Sequence, residues 1–226
     1  MWTNRERSGW SGQFADRRDA GRQLACELEK FRVARPLVLG LPRGGVVVAA
    51  EVARALGCDL DVLLVKKLRC PDNPELAIGA LSESGHRYIN DELVRAFNIE
   101  PSYLEAEVAE RAAEIREQQR LYRAVKPRIA PTDRAAVLVD DGLATGATMI
   151  AAAQAIALER PKLLIVAVPV GSPEAARALR SLGQVDEVIC PHTPDWFEGV
   201  GQFYGDFVQI EDSEVVRILA ELVDER

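Results

Sequence analysis

Short apolar runs alternating with helical segments constrain this chain more than any other feature. The runs "PLVLGL", "DVLLVKKL", "AAVLVDD", "KLLIVAVPV" and "DEVICP" are almost continuously apolar instead of alternating with polar residues. A strand reads that way when both of its faces are buried, as in a parallel sheet covered by helices. Helical patterning marks 17–31, 46–56, 103–123, 147–158, 173–182 and a last segment from 213. The expected class is α/β: three layers, with a mostly parallel sheet and helices on both faces. Within 103–123, Leu104, Val108, Ala112, Ile115, Gln119 and Tyr122 approximate one face, the pattern of a helix lying on the sheet or at a subunit contact.

A single domain over residues 1–226 is expected, because the length suits one core and no linker, repeat or low-complexity tract interrupts it. Hydrophobic residues at 48% and charged residues at 28% favour neither disorder nor a membrane class. The net charge of -7 argues against a broad nucleic-acid footprint and leaves room only for a local basic pocket. The start, "MWTNRERSGW", lacks the apolar stretch of a secretory leader, and no window is apolar enough for a spanning helix. Cys26, Cys58, Cys70 and Cys190 form no CxxC pair, so free thiols in the cytoplasm are expected rather than a zinc site or disulfides.

Chemistry concentrates in "VLVDDGLATGATM", residues 137–149. Adjacent strand residues point to opposite faces, so Asp140 and Asp141 can share a ligand only where the strand ends, and Gly142 marks that end. Ligands of open α/β sheets bind beyond the carboxyl ends of the strands, where this pair would lie. The turn Gly142, Leu143, Ala144, Thr145, Gly146 then leads through Ala147 and Thr148 into an apolar helix that starts near Gly146 or Ala147. Unpaired N–H groups at such a helix start suit a phosphate, and small side chains let it approach the backbone. Ionised carboxylates accept hydrogen bonds and repel phosphate, so the acids suit a sugar diol. A ribose 5-phosphate unit satisfies both halves.

In this order of apolar strand, two acids and T-G-x-T loop, the segment resembles the phosphoribosyl pyrophosphate motif of type I phosphoribosyltransferases. A second Gly-rich turn, "LGLPRGGV", resembles the family's pyrophosphate loop, with Arg43 as a fixed cation and Gly44 and Gly45 exposing amides. The resemblance implies a non-proline cis peptide at or beside Arg43–Gly44. "KKLRCPDNPELAIGA" resembles the family's mobile catalytic loop and its flanking strands, and there Lys66, Lys67 and Arg69 gather positive charge. Most of the chain, from about Phe14 to Asp212, is similar to a mainly bacterial subgroup of the family.

The resemblance implies the family fold, with a small hood built from the N-terminal segment and about 190–212. It implies transfer of the 5-phosphoribosyl group from phosphoribosyl pyrophosphate to a nitrogenous base or amine, with release of pyrophosphate. Asp140 and Asp141 would hold the ribose, Arg43 and Lys67 would stabilise the leaving anion, and Lys66 would contact the substrate. Mg²⁺ would ride on the pyrophosphate, with Asp140 or Asp141 as further oxygen donors and no dedicated metal cage. A homodimer is implied as well. The loop position that carries an acid in relatives using 6-oxopurines is Ala144 here, which argues against hypoxanthine or guanine. Trp196, Phe197, Phe203 and Tyr204 suit either ring stacking or a satellite core, and His86 and His192 carry only weak functional readings. The alternative is a regulator that binds phosphoribosyl pyrophosphate or a nucleotide without turnover. An RNA-binding regulator is disfavoured by the charge.

Overall fold

A computed structural model describes residues 12–71 and 73–224. The expectation of no secretory leader falls on residues 1–11, which lie outside the described residues. The central sheet has strands β1 (Leu37–Gly40), β2 (Asp59–Val62), β6 (Ala135–Val139), β7 (Leu163–Ala167) and β8 (Glu187–Ile189), ordered β2-β1-β6-β7-β8 and parallel throughout. Alternate residues of these strands enter separate cores, as strand geometry requires. Val137 and Val139 of β6 pack with helices α1 (Arg17–Leu28), α2 (Gly44–Leu56) and α7 (Asp212–Asp224). Ala136 and Leu138 pack with α5 (Ala147–Ala157) and α6 (Pro173–Arg180) on the other face. Both faces are covered, which is why the runs are continuously apolar.

The run "DVLLVKKL" is not one strand. β2 ends at Val62, Leu63 donates to Gly40 O (2.9 Å), and the chain leaves the sheet before β3 (Val65–Cys70). β3 pairs antiparallel with β4 (Asn73–Ser82), and β4 with β5 (Arg87–Ile89), in a second sheet. The segment expected to hold a mobile loop and its flanking strands has β3 ending at Cys70 and β4 beginning at Asn73. A short helix α3 (Asp91–Ala96), capped by Asn90, leaves no mark in the sequence because it is too short to show a period.

Helix α4 (Pro101–Tyr122) lies against this second sheet. Ile115 and Tyr122 of its predicted face are buried, while Leu104, Val108 and Ala112 pack on the core half-buried. Glu107 and Arg111 are buried too, paired at 3.1 Å, and Glu107 accepts the Arg69 N–H (3.0 Å). None of the four cysteines is joined in a disulfide among the described residues. Among the described residues no helix is long and apolar enough to cross a membrane.

Candidate active site

β6 stops at Val139, so Asp140 and Asp141 sit where the chain leaves the sheet. Asp140 Oδ1 accepts the Asp141 N–H (2.8 Å), a turn that orients the first acid by the backbone of the second. Asp141 Oδ2 accepts from Arg17 Nε (2.7 Å) at the start of α1, and the Tyr204 hydroxyl donates to Asp141 O (2.5 Å). Each carboxylate thus has one oxygen held by the protein. Asp140 Oδ2 and Asp141 Oδ1 have no hydrogen-bond partner among the described residues. Burial, then the neighbouring Asp141, pushes the Asp140 carboxyl well above its ordinary value, against the Asp141 N–H and Arg17, which pull it down.

The two Gly-rich turns meet at these acids. A Cβ on Gly44 would overlap Asp141 Oδ2 and lie 2.8 Å from Arg17 Nε. A Cβ on Gly45 would lie 2.8 Å from both Asp140 Oδ1 and Val139 O. Neither position tolerates a side chain while the acids stay where they are. The cis peptide is Pro42–Arg43, beside the bond named from the sequence.

The turn after the acids is clamped to the strand-to-helix connection following β7. Leu143 donates to Val170 O (3.0 Å), Ser172 N–H donates to Leu143 O (2.8 Å) and Ser172 Oγ donates to Ala144 O (2.8 Å). Leu143 is buried with its amide committed, so it anchors the turn; a ligand contact through its N–H is corrected on that ground. Gly146 caps α5 with φ +74°, a backbone conformation that favours glycine. The amides of Ala144, Thr145, Gly146 and Thr148 have no partner among the described residues, and Ala144, Thr145 and Thr148 are exposed. The Ala147 N–H makes only a long bond to Thr145 Oγ1 (3.4 Å). An open row of donors at a helix N-terminus, directly after the acids, is a ready anion cradle.

The cations are less convergent than the acids. Arg43 caps α2 and reaches Glu211 (3.5 Å) rather than the acidic pair. Lys66 pairs with Glu114 of α4 (3.3 Å). Lys67 stands opposite Ala80, whose side chain packs on Ala151 and Ala155 of α5, so Lys67 is on the α5 face of that hairpin. Arg69 is exposed at the strand end.

Arg17 was not singled out from the sequence. Only the start of its helix was legible, and nothing local indicates a partner 124 positions away. Its guanidinium also donates to Val208 O (2.8 Å) and stacks on Phe207 at 3.8 Å. Phe207 packs on Tyr204 in a small cluster where Phe14 N–H donates to Phe203 O and Gly205 N–H to Phe14 O, both 2.8 Å. Phe14, Phe203, Tyr204 and Val170 form its core, with His192 edge-on to Phe14 at 5.7 Å. Phe203 and Tyr204 are packing residues here, and burial keeps His192 below its ordinary pKa. Burial and Asp141 hold the Tyr204 phenol protonated. Trp196 is 75% exposed, leaving it and half-buried Phe197 as the accessible aromatics of the predicted set.

The Phosphoribosyl transferase domain pattern matches residues 17–207. The chain belongs to that family. It is 45% identical over 206 residues, 91% of its length, to "Putative phosphoribosyl transferase Rv0571c" of Mycobacterium tuberculosis strain H37Rv, and equally to the CDC 1551 strain's protein MT0597. It spans about half the length of those curated relatives, 46% of each. The fold is similar to the crystal structure of TT1426 from Thermus thermophilus, with TM-score 0.86 and 46% identity over 92% of this chain and 98% of that one. For this phosphoribosyl transferase domain, a cavity of about 680 Å³ lies elsewhere, lined by Arg35, Arg54, Asp59 and Arg134. Its size does not outweigh chemistry: Arg134 is matched by Asp59, and Arg54 by Glu51 and Glu221.

Proposed function

We propose that the domain transfers a 5-phosphoribosyl group from phosphoribosyl pyrophosphate to a nitrogenous base or amine. One observation carries this reading: two carboxylates, each with one oxygen held and one open, immediately precede an open row of amides at the start of α5. The open oxygens accept from two ribose hydroxyls, while the amides of Ala144, Thr145, Gly146 and Thr148 and the hydroxyls of Thr145 and Thr148 hold the 5-phosphate. The acceptor nitrogen forms a bond to C1 as the C1–O bond breaks. Pyrophosphate leaves with the electron pair, and the nitrogen loses its proton to solvent or to the departing anion. Asp140 and Asp141 favour positive charge on the sugar in that passage, and the Gly44 and Gly45 amides with Arg43 and Lys67 receive the anion.

Among the described residues no cluster of His, Cys, Asp and Glu would cage a metal. The open oxygens of Asp140 and Asp141 nevertheless suit a hard cation that arrives on the diphosphate. Bound Mg²⁺ would supply charge neutralisation of the leaving group. Free thiols fit a reducing compartment, so we place the activity in the cytoplasm, and we expect a homodimer, which light scattering tests.

Incubating a panel of bases and amines with the donor and Mg²⁺, with pyrophosphate as the readout, tests the reaction. Release with at least one acceptor supports it. Tight donor binding without release across the panel supports instead a regulator that binds phosphoribosyl pyrophosphate without turnover.

A further inference from the structure

We propose that Arg17 is a positioning residue that sets which oxygen of Asp141 meets the sugar and couples that acid to the cluster around Tyr204; this rests on the ribosyl reading above. Asp141 Oδ2 occupies the space that a Cβ on Gly44 would need, and a guanidinium takes the same oxygen at 2.7 Å. Only Oδ1 is then open. The Arg17 side chain is 9% exposed, so this charge-assisted bond is shielded from competing water and salt. The same guanidinium holds Val208 O at 2.8 Å and covers Phe207 at 3.8 Å, and the Tyr204 hydroxyl holds the Asp141 carbonyl. Asp141 is therefore fixed by α1 and by that cluster together, rather than by its own strand. A shift of the cluster would be transmitted to the diol site through one planar, multi-donor side chain, a role that lysine's single ammonium cannot fully reproduce.

The phosphate cradle provides the internal reference, because none of the contacts that clamp its turn involves Arg17. The experiment measures, by calorimetry, the affinities of native protein, Arg17→Gln and Arg17→Lys for ribose 5-phosphate, 2-deoxyribose 5-phosphate and inorganic phosphate, with thermal melting of each. Arg22→Gln, an exposed change on the same helix, is the control and matches native protein. A hydrogen bond to a charged group is worth roughly 1.5–3 kcal/mol, so native protein prefers the ribose compound over the deoxy compound by about tenfold or more. With Asp141 Oδ1 taking the 2-hydroxyl that the deoxy compound lacks, Arg17→Gln is expected to lose most of that preference while keeping its phosphate affinity within about twofold, and Arg17→Lys to fall between.

Retention of the native preference in Arg17→Gln overturns the proposal. So does an equal loss for all three ligands in both variants, which would make Arg17 a mere structural prop. Native protein that binds phosphate but does not distinguish the two sugars would instead overturn the ribosyl reading itself.

Discussion

At the scale of single residues, the acids are held by contacts that leave little slack. Asp140→Asn and Asp141→Asn each replace an acceptor oxygen with a donor group that ribose hydroxyls meet less well. Each is expected to weaken ribose 5-phosphate binding by about 10- to 100-fold, corresponding to roughly 1.5–3 kcal/mol, with unchanged circular dichroism. Native affinity in both variants would remove the diol from the argument. Gly44→Ala acts on the same atoms from outside, since its new Cβ overlaps Asp141 Oδ2. Overpacking of this kind costs about 1–3 kcal/mol, and the variant is expected to lose sugar binding to the same extent as Asp141→Asn, as titration of the two side by side would reveal.

At the scale of elements, two connections invite separate tests. Ser172 both caps α6, accepting the Ala175 N–H at 3.1 Å, and clamps the cradle through Ala144 O. Losing a cap of this kind costs about 1 kcal/mol. Ser172→Ala should therefore lower the urea midpoint modestly and weaken inorganic phosphate binding, leaving the preference for ribose over deoxyribose intact. The other connection is the ion network that ties the loop after α4 to the sheet. Fully buried Asp61 receives Arg123 Nη1 (2.6 Å) and the Ile129 N–H (2.8 Å), and Arg123 also pairs with Glu83. Burial raises the Asp61 pKa even against Arg123. A group with a raised folded-state pKa binds its proton more tightly in the folded protein, so its contribution falls as pH rises from the unfolded value through the folded one. Arg123→Leu removes the partner and extends that loss to higher pH. The expected cost is about 3–5 kcal/mol at neutral pH and less near pH 5, measured as urea midpoints at both. Equal costs at the two values would exclude Asp61 as the cause.

For the molecule as a whole, a ligand that binds only the folded chain raises its stability. Donor at about 100 times its dissociation constant contributes about 2.7 kcal/mol, a rise in melting temperature of several degrees for a chain this long. Asp140→Asn,Asp141→Asn should abolish the shift. Strands β1, β6, β7 and β8 of the central sheet, the end of β6 at the acids, the start of α5 and the Gly-rich turn before α2 were legible because each depends on its own neighbours: buried strands need unbroken apolar runs, and tight turns need glycine. The division of "DVLLVKKL" between two sheets was not legible, since an apolar run carries no record of which strand it will pair with. Nor was the neutralisation of Lys66 by Glu114, the commitment of the Leu143 amide to Val170, or the grip of Arg17 on Asp141, all contacts across long stretches of chain. Local chemistry alone determined where the acids and the small-residue turn after them would lie. Only the tertiary packing decided which oxygens, amides and cations remain open to a ligand, because that depends on what distant segments have already claimed.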